Sequence, residues 1–405
     1  MEKRILKVLR IVFVICLAIL LVEVFYLTYV NFFKEKKSIY FDAINAVTAG
    51  DNNNYIVVGS NNNNDKHYEK AKIAKYNSKK EKIFEVLYNK GYNGAFFDVA
   101  LDEDSYVAVG SYEASDDEHK AGTRRALIVK FDNTGKILFD KSFGVLDNSK
   151  FVGIEVLNDG YLVVGQSIYE NTTLGFSNAG GAYLVKLDKS GNIIWRSNYG
   201  GNKAAIFNDV ICAQGYIYVS GRDSSRVGLV NKYDMDGNLI KSTGYEYTDS
   251  LGFTSLVAVD DGIVVAGAKK TVDDNNNSIV DALLVKYDFD CNYISEKSYD
   301  NGNMERFNIV IRDSNGNLLV VGNEALADTN NDVNVLLYNG IIGKYKSDLS
   351  DIKLEKYGEQ RDDHFTDVIL VNNDYWVVGY SSYEDGSYLS KFIVYSDALK
   401  VLEVQ

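Results

Sequence analysis

The residues best suited to chemistry in this chain are acids set at regular positions. Seven phenylalanines, Phe41, Phe96, Phe151, Phe207, Phe253, Phe307 and Phe365, each precede a glycine that closes an apolar strand. Two residues after three of them stands an aspartate: Asp98, Asp209 and Asp367. The equivalent positions elsewhere hold Ala43, Gly153, Ser255 and Ile309. Acids repeated in register can gather at one mouth of a central channel and bind a cation or a polar ligand. They can equally well hydrogen-bond to neighbouring backbone at the strand start. A second candidate is the alternating run Asp328, Asn330, Asp332 and Asn334. Hard oxygens at this spacing suit calcium, although the glycine and distal glutamate of a helix-loop-helix site are missing. Asp273, Asp274, Asn275 and Asn277 form a further oxygen-rich cluster.

Enzyme signatures are thin. His67, His119 and His364 lie in different loops, and no H-E-x-x-H or G-x-S-x-G motif occurs. We assign no catalytic residue and no cofactor beyond calcium. A glycosidase needs two facing carboxylates, and with 56 acids the sequence alone does not locate such a pair. Cys16, Cys212 and Cys291 do not make a disulfide framework.

The elements that must position these acids are short strands. The glycines are Gly59, Gly110, Gly165, Gly221, Gly267, Gly322 and Gly379, with a mean spacing of about 53 residues. A period of this length filled by strands signals a propeller or another repeat array. Each unit holds four strand-like pieces. The first follows the phenylalanine, as in FNDVIC (207–212). The second is β-branched and apolar, as in YLVVG (161–165), and suits a strand covered on both faces. The third ends in an Asp/Gly turn, as in YLVKLD (183–188) followed by KSG. The fourth is more polar, which fits an outer edge facing water. We therefore expect an all-β, seven-bladed β-propeller of four-stranded antiparallel blades. The blades cover approximately 40–89, 90–144, 145–200, 201–246, 247–300, 301–359 and 360–405. The first unit starts on its inner strand and the last ends on an outer one. The ring should thus close by packing blade seven on blade one, with no shared blade, and this seam should be the weakest point.

The succession KLDKSGNIIWRSNYGG at 186–201 resembles the β-propeller repeats of bacterial exported and surface proteins, which share the D-x-x-G turn and the x-V-V-G strand. The resemblance covers about 40–405. It implies the fold and an exported setting, and it implies little about activity.

Residues 11–33 are almost wholly apolar and long enough to span a bilayer as a helix. Lys3, Arg4, Lys7 and Arg10 precede them, and no small-x-small cleavage site follows. We expect a short basic cytoplasmic tail (1–10), an uncleaved transmembrane signal anchor (11–33), a linker (34–39) and an extracellular propeller (40–405). The formal charge is −13 overall and, without the anchor and its flanks, −17. That excludes nucleic acid, whose phosphates need a basic footprint. The expected function is a binding scaffold for a protein or glycan at the cell surface. The alternative is an exported polysaccharide hydrolase or lyase using the acids at the channel mouth.

Overall fold

The structure is a computed structural model. It describes residues 41–62, 69–114, 124–144, 149–166, 169–171, 176–178, 181–200, 205–272, 278–327, 336–358, 362–383 and 387–405. The expected anchor lies outside the described residues, as do Asp328, Asn330, Asp332, Asn334, the cluster at 273–277 and much of the long loops. Among the described residues no helix is long and apolar enough to cross a membrane.

The described chain is all-β apart from one short 3-10 turn, Asp51–Asn53. The inner strands are Asp42–Ala49, Tyr92–Asp102, Lys150–Leu157, Ile206–Ala213, Thr248–Val259, Met304–Arg312 and Asp363–Val371. Each pairs antiparallel with the next long strand, and so on outward, to give four-stranded sheets in simple meander order. An extra hairpin, Tyr169–Asn171 with Phe176–Asn178, interrupts the third sheet's second-to-third connection. A single parallel pairing, Val280 with Met304, links the fifth sheet to the sixth.

Burial follows the sequence logic. The second strand Tyr55–Asn61 is buried throughout, whereas the outer strand Ile193–Tyr199 is exposed or half-buried at every position. Apolar cores lie between neighbouring sheets. The inner-strand phenylalanines Phe96, Phe151, Phe207, Phe253, Phe307 and Phe365 are at most 3% exposed, and each packs back against the preceding sheet. The last sheet packs on the first in the same manner, around Ile44, Val47, Val57, Val378 and Phe392. No strand is shared across this seam.

The first unit departs from the expected register. Gly59 pairs with Ile44, not with Phe41. Ile44 thus takes the phenylalanine's place, and the position matching Asp98 is Ala46, not Ala43. Phe41 instead bridges to Tyr388 of the last sheet, their rings 5.4 Å apart. The smaller Ile44 is offset at the seam by aromatic packing: Tyr55 lies 4.7 Å from Trp376, and Tyr76 lies 4.8 Å from Phe392.

The closing glycine has a steric cause. A β-bulge follows the phenylalanine in most inner strands, for example between Phe96 and Asp98. The bulge throws the preceding carbonyl against the partner strand, and a Cβ on Gly110 would overlap the Ala95 oxygen. Gly110→Ala is expected to cost more than about 2 kcal/mol, because backbone must move. Chemical denaturation would show this as a lower midpoint with an unchanged slope.

The turn before each outer strand supplies a second fastening. Its left-handed residue is Lys80, Gly135, Gly191, Gly237, Cys291, Leu349 or Leu399, all at positive φ. The glycines meet aromatic rings of the preceding outer strand: Gly135 faces Phe84, Gly191 faces Phe139, and Gly237 faces Trp195. Where the preceding strand carries Glu403 in that place, the turn carries Lys80, and the two form an ion pair across the seam. Cys291 fits the same turn as a free, buried thiol, and Cys212 is free as well.

Candidate functional site: an acid-lined cavity

The bulge also builds the site. It releases one residue of the inner strand from the ladder, and that side chain reaches sideways to the next sheet. Asn45 donates to the Phe96 carbonyl (2.7 Å), Asn208 to that of Phe253 (2.7 Å) and Asn308 to that of Phe365 (2.7 Å). Thr254 and Thr366 make the same bond, to Phe307 (2.9 Å) and Ile44 (2.8 Å). Sequence reasoning missed these residues, because nothing in a single unit reveals that its partner is a backbone carbonyl one repeat away.

Asp98, Asp209 and Asp367 come next. Asp98 accepts the amides of Val99 (2.7 Å) and Ile154 (2.9 Å). Asp209 accepts those of Val210 (2.8 Å) and Leu256 (3.0 Å), and the Ser255 hydroxyl (2.9 Å). Asp367 accepts those of Val368 (2.7 Å) and Val47 (2.8 Å), spanning the seam. Each carboxylate therefore fastens its own strand with one oxygen and the next sheet with the other. Ser255 is a shorter version of the same device, accepting the Val310 amide at 3.3 Å.

All three aspartates face one cavity of about 350 Å³, which Asn45, Asn208, Thr254, Ser255, Arg312 and Thr366 also line. Burial raises the pKa of each. Asp98 stands well above the usual carboxylate range through burial and the charges of Asp209 and Asp367. Asp367 is pushed to about 7 by burial, with a contribution from Asp209, against the opposing pull of its two amides. Glu155, outside the cavity lining, is likewise raised by burial to about 7, with a contribution from Asp209. Burial thus favours the protonated form of these carboxyls, and the cavity's polar lining offers hydrogen-bond partners to a polar ligand. Among the described residues, the acids close enough to share one metal ion are not these but Asp281, Asp300 and Glu305. His364, the described histidine, is stacked between Tyr338 (4.6 Å) and Tyr380 (4.8 Å) and has its pKa lowered by burial.

A pH dependence follows. A carboxyl with a raised native pKa binds more protons folded than unfolded, so stability falls as pH rises from about 4 through its native value. Asp367, Glu155 and Glu305 all reach about 7, and His364 acts in the opposite sense below its ordinary value. The denaturation midpoint is expected to be lower at pH 8 than at pH 5. An equal or higher midpoint at pH 8 would contradict the raised values.

The opposite end of the sheets carries a different network, built on the lysine of the third-strand Lys-x-Asp motif. Asp102 is 3% exposed and accepts from Lys130 (2.7 Å), from Tyr161 of the next sheet (2.7 Å) and from Lys189 (2.5 Å). Lys344 repeats the pattern with Asp313 (3.1 Å), Tyr375 (2.8 Å) and Asp397 (2.5 Å). At Lys130 and at Lys344, whose motif reads Lys-Tyr-Lys, this lysine is an inter-sheet clasp; Lys186 and Lys286 pair with Asp159 and Asp261 of their own sheets.

No protein-family model matches the chain, and no curated protein is similar to it in sequence. Solved structures do match its fold. The BP39L lectin from Burkholderia pseudomallei superposes with a TM-score of 0.53 at 9% identity, covering 89% of this chain and 98% of the lectin. The WD40 β-propeller domain of Doa1 superposes with a TM-score of 0.51 at 10% identity, covering 88% and 95%. The chain is a β-propeller repeat protein in architecture.

Proposed function

We propose that this chain is a seven-bladed propeller acting as a binding scaffold for a protein or glycan partner, held at the cell surface by its N-terminal anchor with the propeller outside. The observation that carries the scaffold reading is a row of apolar side chains at one position. The second residue of every described outer strand, Ile83, Leu138, Ile194, Ile240, Ile294, Ile352 and Leu402, is 44–56% exposed. Single exposed apolar residues are ordinary. The same exposure at one position in each sheet, on an acidic body, gives a partner a repeated apolar foothold. One fold neighbour, a lectin, favours binding too.

The second reading is an exported hydrolase or lyase, favoured by Asp367, whose pKa of about 7 suits a general acid. The structure gives this carboxyl another task, since both of its oxygens accept backbone amides.

One set of experiments separates the readings. Surface cross-linking on intact cells and a glycan array should identify a ligand. Its capture should be lost when Leu138, Ile194 and Ile240 are changed to Asp, with the melting temperature unchanged. Turnover of a polysaccharide library, abolished by Asp209→Asn and Asp367→Asn in a folded protein, would instead establish the enzyme. Protease added to intact cells should digest the propeller, and full protection would overturn its outward placement.

A further inference from the structure

We infer that the seam between the fifth and sixth sheets holds a divalent cation site, of calcium-like chemistry, built from Asp281, Asp300 and Glu305. These residues come from three elements. Asp281 lies in the third strand Ser278–Tyr287, Asp300 follows the outer strand Tyr293–Tyr299, and Glu305 opens the next inner strand Met304–Arg312. One carboxylate oxygen from each lies within 4.8 Å of the other two, a spacing that one ion with oxygen ligands at 2.3–2.6 Å spans.

The cluster alone would be unremarkable on an acidic protein, but its burial is not. Glu305 is fully buried, and its Oε2 has no hydrogen-bond partner. Asp281 is 9% exposed, and its Oδ1 likewise has none. Glu324 stands directly opposite Glu305 across the strand pair and is also fully buried with a free Oε2. Like charges facing one another in a sheet are destabilising, and an orphaned buried carboxylate oxygen is costly. The other oxygen of Glu324 is saturated by Asn301 (2.8 Å), Asn303 (2.5 Å) and Lys356 (2.8 Å). Lys356 neutralises that one acid. Lys269, which faces Asp281 across the ladder, is engaged with Glu296 at 2.7 Å. The cluster therefore holds more buried negative charge than its own cations balance, and two of its three members each carry an unpaired buried carboxylate oxygen.

All the donors are oxygens, which suits calcium and excludes a soft-metal preference. The connection Asp300–Glu305 reads D-N-G-N-M-E, an oxygen-rich run with a glycine in its turn. Gly302, at φ 79°, sends its amide to Asp300 (2.8 Å) and shapes the loop around the site. The site also sits at the parallel Val280–Met304 pairing. An ion there would lock two sheets already joined through their backbones.

The test uses the full chain in mild detergent, with calcium itself as the probe. The melting temperature is expected to rise by roughly 3 °C or more in calcium at about a hundred times its Kd, relative to chelator. The rise should be larger at pH 8 than at pH 5, because the ion displaces protons from its ligands. Glu305→Gln and Asp281→Asn should each remove most of the calcium shift. Both should fold, since each relieves repulsion and raises the melting temperature in chelator. Asp328→Asn with Asp332→Asn should leave the shift in place. The proposal falls if calcium and chelator give the same melting temperature. It falls equally if the shift survives Glu305→Gln or vanishes only in the Asp328 and Asp332 variant.

Discussion

Asp367→Ala is expected to cost about 3 kcal/mol, because it strands the Val47 and Val368 amides, each worth about 1–3 kcal/mol when left unpaired. Asp98→Ala removes the same pair of bonds and should lower global stability by a similar amount. The two variants should differ in local opening. The Asp98 bond closes 56 residues of chain, whereas the Asp367 bond closes 320. Loop-closure entropy grows by about 0.6 kcal/mol per doubling, so the seam starts about 1.5 kcal/mol weaker than an internal interface. Native-state hydrogen exchange should therefore speed up about a hundredfold in the first and last sheets of Asp367→Ala, while the same amides in Asp98→Ala stay near wild type. Equal exchange in the two variants would show that the seam is no weaker than its neighbours.

Asp102→Ala is expected to cost about 3–5 kcal/mol, the range for breaking a buried ion pair from one side. The change leaves Lys130, Lys189 and the Tyr161 hydroxyl facing one another without their common acceptor. Burial alone would raise the Asp102 pKa, but the hydrogen bonds from Lys130, Lys189 and Tyr161 hold it at about 2. Its stabilising contribution is thus complete above about pH 4 and is lost as pH falls towards 2. The loss caused by Asp102→Ala should shrink when denaturation is measured at pH 2. A loss as large at pH 2 as at pH 7 would mean that the charge is irrelevant and that packing alone supports the site.

Much of the architecture was legible in the sequence because it depends on local pattern. The β-branched second strands, the Asp/Gly turns and the polar outer strands each follow from which faces meet water. The closing glycines could be recognised for the same reason, as sites of close backbone approach. Phe41 was misleading because a bulge is defined by its partner strand, and only the pairing of Ile44 with Gly59 locates it. The register of Asp98, Asp209 and Asp367 was visible, and so was the possibility of backbone bonding. Which of the two roles they serve depends on amides about fifty residues away along the chain, or across the seam. The motif lysine looked like part of a repeat signature, and its acceptors lie on turns of its own and adjacent sheets. Asp281, Asp300 and Glu305 left one clue, the D-N-G-N-M-E run. Asp281 is separated from it by the whole outer strand.

The left-handed turn residues have a consequence for assembly. Near-identical repeats can slip past one another or exchange between chains, because any unit can substitute for its neighbour. Here the seam is distinguished from three of the internal junctions. Glycine meets an aromatic ring at three junctions, and Lys80 meets Glu403 where the chain's two ends come together. A misplaced unit would set a leucine or lysine against a ring that leaves room only for hydrogen, or would separate the terminal charges. The place where the ends meet is therefore addressed as well as stacked, because its ion pair does not fit a glycine–ring junction.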